Sequence, residues 1–218
     1  MTQTAWLLFA AAIVFAAVDW FAVADWFAVA RANLRLRWVF KPGTILLLVG
    51  VALALHPASN AQRYVFIAAA LLSFAGDALL LAGERGFRAG LGAFLAAHLA
   101  YGAGFLIGGV RPGLLTLVAP AVAILSLALG GRILRSVLES RHRAQALPVT
   151  AYLVAISAML ALAAASGKPT ALAGASLFYV SDTLIAWNRF VRPLSWSPLA
   201  VIITYHLGQA GLVLSLAS

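Results

Sequence analysis

The chain has 218 residues, 64% of them hydrophobic and only 10% charged. Its apolar runs repeatedly reach the roughly 20 residues that cross a bilayer, and so few charges between so many long runs exclude a soluble globular domain. With no cysteine, disulfides, thiolate metal sites and a cysteine nucleophile are also excluded, while a net charge of +9 has a commoner source in membrane topology than in nucleic acid.

Apolar runs between charged or Pro/Gly breaks predict eight membrane spans, at about 4–30, 42–55, 64–82, 90–110, 113–130, 148–166, 170–188 and 198–217. The first has no basic residue before it, unlike a secretory signal, and is read as a retained span. It carries a tandem duplication, DWFAVA at 19–24 and again at 25–30. Six residues turn a helix by a net angle of about 240° and advance it about 9 Å, so Asp19 and Asp25 cannot both occupy one site.

Span number can be checked against basic residues. The first, third, fifth and seventh loops hold twelve: Arg31, Arg35, Arg37 and Lys41, then Arg85 and Arg88, then Arg132, Arg135, Arg141 and Arg143, then Arg189 and Arg192. The other three loops hold only Arg63, Arg111 and Lys168. Because cytoplasmic loops concentrate Lys and Arg, this asymmetry predicts an all-α bundle of eight transmembrane helices with both termini non-cytoplasmic. Residues 1–218 form one transmembrane domain in this reading, multi-pass in the cell membrane if the source is bacterial.

Polar residues inside the spans then acquire depths. Asp77 and Asp182 lie five or six residues from the cytoplasmic ends of spans three and seven. His98 and Tyr101 share one face of span four, Tyr205, His206 and Gln209 lie on span eight, and Lys41, Tyr152, Asn188 and Asp25 sit near cytoplasmic ends. An intramembrane carboxylate costs about 3 kcal/mol on insertion scales, so such residues usually face the bundle interior and have a task; a protonated Asp bonded to a neighbouring helix is the structural alternative. Each Asp is followed by a charged loop and a helix bearing His and Tyr, which suggests a parallel repeat of four spans plus four.

Other signals are weaker. Gly104 and Gly108 form a GxxxG pattern, which means close helix packing more often than anything else. No serine-hydrolase, zincin or P-loop pattern is present. Asp77, His98, Asp182 and His206 are of ligand type but lack diagnostic spacing, so no metal site is assigned.

Taken together, KPGTILLL, SFAGDALLL, FLAAHLAY, LPVTAY, LFYVSDTLIAW and TYHLGQ resemble the YhhN-like family of polytopic membrane proteins, from about Trp26 to Gln209. The resemblance implies eight membrane helices, no cofactor, and hydrolysis of the sn-1 vinyl ether bond of lysoplasmalogens to a fatty aldehyde and glycerophosphoethanolamine or glycerophosphocholine. It assigns the catalytic carboxylates to Asp77 and Asp182, with support from Lys41, His98, Tyr101, Tyr152, Tyr205 and Gln209. The doubled DWFAVA departs from the family pattern, whose single element Asp25 fits better by spacing.

Vinyl ether hydrolysis needs an acid to protonate the alkene carbon and an anion beside the oxocarbenium ion, as glycosidases do with two carboxyls. Asp77 and Asp182 are expected to share one proton, either being the acid. His98, Tyr101, Tyr205 and His206 would orient them, and Lys41 would hold the phosphate of a lysophospholipid partner bound within the membrane. A proton-coupled transporter or lipid translocator using the same carboxylates is the competing class.

Overall fold

The structure, a computed structural model, describes residues 2–29 and 34–217, with the side chains of 24–29, 34 and 35 left out. Eight α-helices follow one another: α1 (Gln3–Val29), α2 (Leu34–Ala54), α3 (Asn60–Leu81), α4 (Phe87–Gly108), α5 (Pro112–Glu139), α6 (Ala146–Ala165), α7 (Pro169–Phe190) and α8 (Ser197–Leu214). Among the described residues there is no strand. Proline in the first turn starts α5, α7 and α8, where its missing N–H costs nothing. Ser59 caps α3 by accepting a hydrogen bond from the Gln62 amide at 3.2 Å.

Seven of these helices are long and apolar enough to cross a membrane. The exception, α7, carries Ser181, Asp182, Asn188 and Arg189, and its polar side chains turn to neighbouring helices: the Ser181 hydroxyl donates to the Val201 carbonyl of α8 at 3.1 Å. The outer surface is apolar, with Leu117, Ile124 and Leu127 of α5 each about 70% exposed or more, as expected of an integral, multi-pass membrane protein facing lipid.

Sequential neighbours pair as hairpins: α1 with α2, α3 with α4, α5 with α6, and α7 with α8. Three further contacts, α1 with α8, α2 with α8 and α4 with α6, join the halves. Thr2 Oγ1 donates to the Ala54 carbonyl at 3.0 Å and Lys168 Nζ to the Ser215 carbonyl at 2.9 Å. Thr2 and Ser215 therefore lie with the basic-poor loops, while Glu84 and Arg189 meet at the opposite end.

Two helices run differently from their predicted spans. α2 begins eight residues before the expected boundary, so Arg37 and Lys41 project from a helix and not from a loop. α5 likewise continues to Glu139 and carries Arg132 and Arg135. Arg and Lys stems lie along apolar surface while their charged heads reach polar groups, so basic residues do not end a helix.

Helices α7 and α8 approach closely enough for backbone to meet backbone. A Cβ added at Gly208 would stand 2.8 Å from the Phe178 amide nitrogen, and one at Gly174 would stand 2.5 Å from that of Leu212. Backbone atoms cannot give way as a side chain can, so Gly208→Val is expected to lower stability by about 1–3 kcal/mol through forced separation of the helices. Thermal unfolding in detergent checks this; an unchanged midpoint would contradict it. Gly104 and Gly108 of α4 receive Phe66 and Gln62 of α3 in the same manner, though against side chains.

Candidate functional site: two carboxylates beneath the basic face

Asp77 and Asp182 each gather partners from two other helices. Asp77, fully buried on α3, is paired by Lys41 Nζ of α2 at 2.8 Å and accepts from the Tyr205 hydroxyl of α8 at 2.7 Å. Asp182 of α7 has Oδ2 2.9 Å from His98 Nε2 of α4, and that same oxygen accepts from the Tyr152 hydroxyl of α6 at 2.5 Å. Tyr152 also lies 3.0 Å from His98 Nε2, closing a three-membered polar cluster.

The two carboxyls have separate hydrogen-bonding and ionic partners. Among the described residues no hydrogen bond joins the two carboxyls, and the edge-to-face rings of Phe94, Phe178 and Tyr205 pack around the space between their clusters. Each carboxyl has its own partners, the Lys41 ammonium at Asp77 and the His98 imidazole with the Tyr152 hydroxyl at Asp182. The Lys41 ammonium that pairs with Asp77 also sits 5.4 Å from the Tyr205 ring.

The remaining expected residues fall around these clusters. Tyr101 donates to Gln209 Oε1 at 2.6 Å, tying α4 to α8 deeper in the bundle. His206 Nδ1 accepts from the Trp20 indole at 3.1 Å, which assigns that nitrogen as the lone-pair nitrogen. Asn188, in the last turn of α7, donates to Ser197 Oγ and accepts from the Leu194 amide, so it shapes the α7–α8 turn. The Asp25 side chain lies outside the described residues. Among those described, no three His, Asp or Glu side chains cluster closely enough to hold a metal ion.

Two features escaped the sequence. Asp19, the first copy of the duplicated Asp, is fully buried 3.7 Å from Arg37 Nε, and neither of its oxygens has a hydrogen bond. The second is Glu84 beside Arg189, paired through both guanidinium Nη atoms, with Nη2 to Oε2 at 2.7 Å. The hydrogen bond from Arg189, and then its charge, hold the exposed Glu84 carboxyl below the ordinary carboxylate range. Arg189 also lies over the Phe87 ring, 4.1 Å from its centre. Neither partner could be matched from sequence, since 105 residues separate them.

An apolar cleft opens among α3, α4, α6 and α7, lined by Leu80, Phe87, Leu91, Phe94, Ile156 and Ile185. Asp182, Thr183 and Tyr152 are polar groups of its lining, and Arg189 stands with Phe87 on its wall. The Asp182 side chain keeps 8% exposure while that of Asp77 has none. A second groove beside it is lined by Arg37, Lys41, Asn188 and Arg189, with Ile185 common to both.

Eight helices around buried carboxylates, one of them open to an apolar cleft, define a polytopic membrane protein built to act on an apolar or amphipathic molecule. The chain belongs to the YhhN family, whose model matches residues 36–216. It is 34% identical to the lysoplasmalogenase TMEM86B of Homo sapiens over 78% of this chain and 71% of that protein. It is 39% identical to the Sus scrofa TMEM86B over 68% of this chain and 62% of that protein. It is also 34% identical to a lysoplasmalogenase of Mycobacterium bovis, over 78% of this chain and 68% of that one. No solved structure matches the chain.

Proposed function

We propose that the protein is a lysoplasmalogenase that cleaves the sn-1 vinyl ether bond of a lysophospholipid held within the membrane. The observation that carries this reading is Asp182: a carboxyl reaching an apolar cleft, with His98 and Tyr152 engaging one of its oxygens. The relatives named lysoplasmalogenase support the same substrate.

In the proposed reaction the fatty chain lies along Phe94, Leu91 and Ile156. The Asp182, His98 and Tyr152 cluster delivers a proton through Asp182 to the outer alkene carbon, leaving an oxocarbenium ion beside the resulting carboxylate. That carboxylate then takes a proton from water as it adds, and the hemiacetal collapses to fatty aldehyde and the glycerol hydroxyl. One water is consumed and the proton is returned. Asp77 stays ionised against Lys41 and contributes a fixed field through Tyr205, whose ring packs on Phe178 and Phe94.

We further propose that all eight helices span the membrane in a single domain over 1–218, with the basic-rich end cytoplasmic and both termini opposite. α7 spans in spite of its polar residues because these face the bundle. The four-plus-four repeat is supported by the partners of the carboxylates: Asp77 of α3 draws on α2 and α8, as Asp182 of α7 draws on α6 and α4. Tyr101 and Gln209 occupy matching places in HLAY and HLGQ and meet each other, as residues near a two-fold axis should.

Release of long-chain aldehyde from lysoplasmalogen by the purified protein in detergent tests the activity. Flux of intact lipid across sealed vesicles, with no aldehyde formed, would favour the transport reading instead.

A further inference from the structure

We propose that Arg189 is the residue that binds the substrate's phosphate, and that Glu84 occupies its guanidinium as a displaceable stand-in for that anion. The proposal rests on the lysophospholipid reading and names the headgroup ligand that the reading lacks once Lys41 is committed to Asp77.

Placement is the first argument. Arg189 and Ile185 are the residues that line both the apolar cleft and the basic groove. A lysolipid with its chain in the cleft and its headgroup in the groove therefore passes Arg189. Asp182 and Arg189 are seven residues apart on one helix face, a rise of about 10 Å. A glycerol phosphate with one hydrogen bond at each end can bridge that gap. The sn-1 linkage then meets Asp182 when the phosphate meets Arg189.

Chemistry is the second. The guanidinium is held from below by the Phe87 ring at 4.1 Å, so its orientation does not depend on Glu84. Its two forward donors engage a carboxylate fork, a geometry that a phosphate reproduces. The other cations of the groove are engaged elsewhere: Lys41 by Asp77 and Arg37 by the buried Asp19.

Weakness of the existing pair is the third. Glu84 is 77% exposed in its side chain and rides on a short turn, Gly83–Arg85. Gly83 there has φ of +74° and open space on the side where a Cβ would stand. An ion pair this exposed is easily replaced by a second anion.

A structural clamp and a displaceable anion predict opposite results. If the pair only fastens the loop to α7, removing either partner breaks the same interaction and shifts activity in the same direction. If Glu84 competes with substrate, the full-length protein in detergent should behave differently. Arg189→Gln should raise KM for lysoplasmalogen by about tenfold or more, with kcat little changed, because a charge-assisted fork is lost. Glu84→Gln should lower KM by about two- to fivefold, since an exposed ion pair is all that is removed. Arg189→Lys, which keeps the charge and loses the fork, should fall between wild type and Arg189→Gln and serves if the latter fails to fold.

Binding of two unreactive probes separates this from the activity itself. A saturated 1-alkyl lysophosphatidylethanolamine should bind more tightly than the corresponding 1-alkylglycerol without phosphate, and Arg189→Gln should abolish that preference. The preference can depend on Arg189 even if no vinyl ether is cleaved, in which case the activity reading fails and this one stands. Equal KM shifts of one sign in the Glu84 and Arg189 variants, or a phosphate preference that Arg189→Gln retains, would overturn the proposal.

Discussion

Asp182→Asn is expected to lower kcat for vinyl ether cleavage by about 10²- to 10⁴-fold, the usual contribution of a positioned acid or base, with KM and thermal stability nearly unchanged. The amide fills the same volume and still offers an oxygen to Tyr152 and His98, which now flank Asp182 Oδ2 at 2.5 and 2.9 Å. What it lacks is a proton of suitable acidity and, afterwards, a negative charge beside the oxocarbenium ion. Tyr152→Phe removes one of the two groups on that oxygen and should produce a smaller loss, since His98 remains. Single-turnover release of aldehyde separates these effects from product release. Activity of Asp182→Asn within twofold of wild type would remove Asp182 from the chemistry.

Lys41→Met has the largest expected effect on stability. It leaves a carboxyl with no exposure without its cation, and breaking a buried ion pair by removing one partner typically costs about 3–5 kcal/mol. Lys41→Met combined with Asp77→Asn should recover most of that loss, because the charge is gone while Tyr205 keeps an oxygen to donate to at the Asp77 site. The double variant thus separates two roles. A folded but inactive double variant assigns the Lys41 and Asp77 pair an electrostatic part in the reaction; a folded and active one reduces it to a structural device. Thermal unfolding in detergent together with aldehyde release reads both.

Asp77 and Asp182 were legible in the sequence because a carboxylate in an apolar run stands out whatever its surroundings. Their depths followed from the basic residues, which a chain distributes by loop and not by tertiary contact. His98, Tyr101, Tyr205 and Gln209 were legible for the same reason, as polar side chains on faces otherwise apolar. Asp19 was harder: its duplicate six residues later offered an equal candidate by composition, and only packing brings Asp19 to Arg37. Glu84 could not be found that way, since an exposed residue on a turn carries no sign of the partner 105 residues away.

The sequence by itself determined the class of the molecule, because transfer of apolar residues from water to lipid is a sum over composition and run length that needs no knowledge of neighbours. It also determined which residues are too polar for their depth. Which of them act on one another was decided only by the tertiary structure. The helices packed so that α2 and α8 serve Asp77 while α4 and α6 serve Asp182, and aromatic rings came to stand between the two clusters. Hydrogen bonds and ion pairs act over a few ångströms, and such distances between helices exist only once the bundle has formed. The sequence placed the two carboxylates at one depth. Depth fixes one coordinate, and the other two are set by packing.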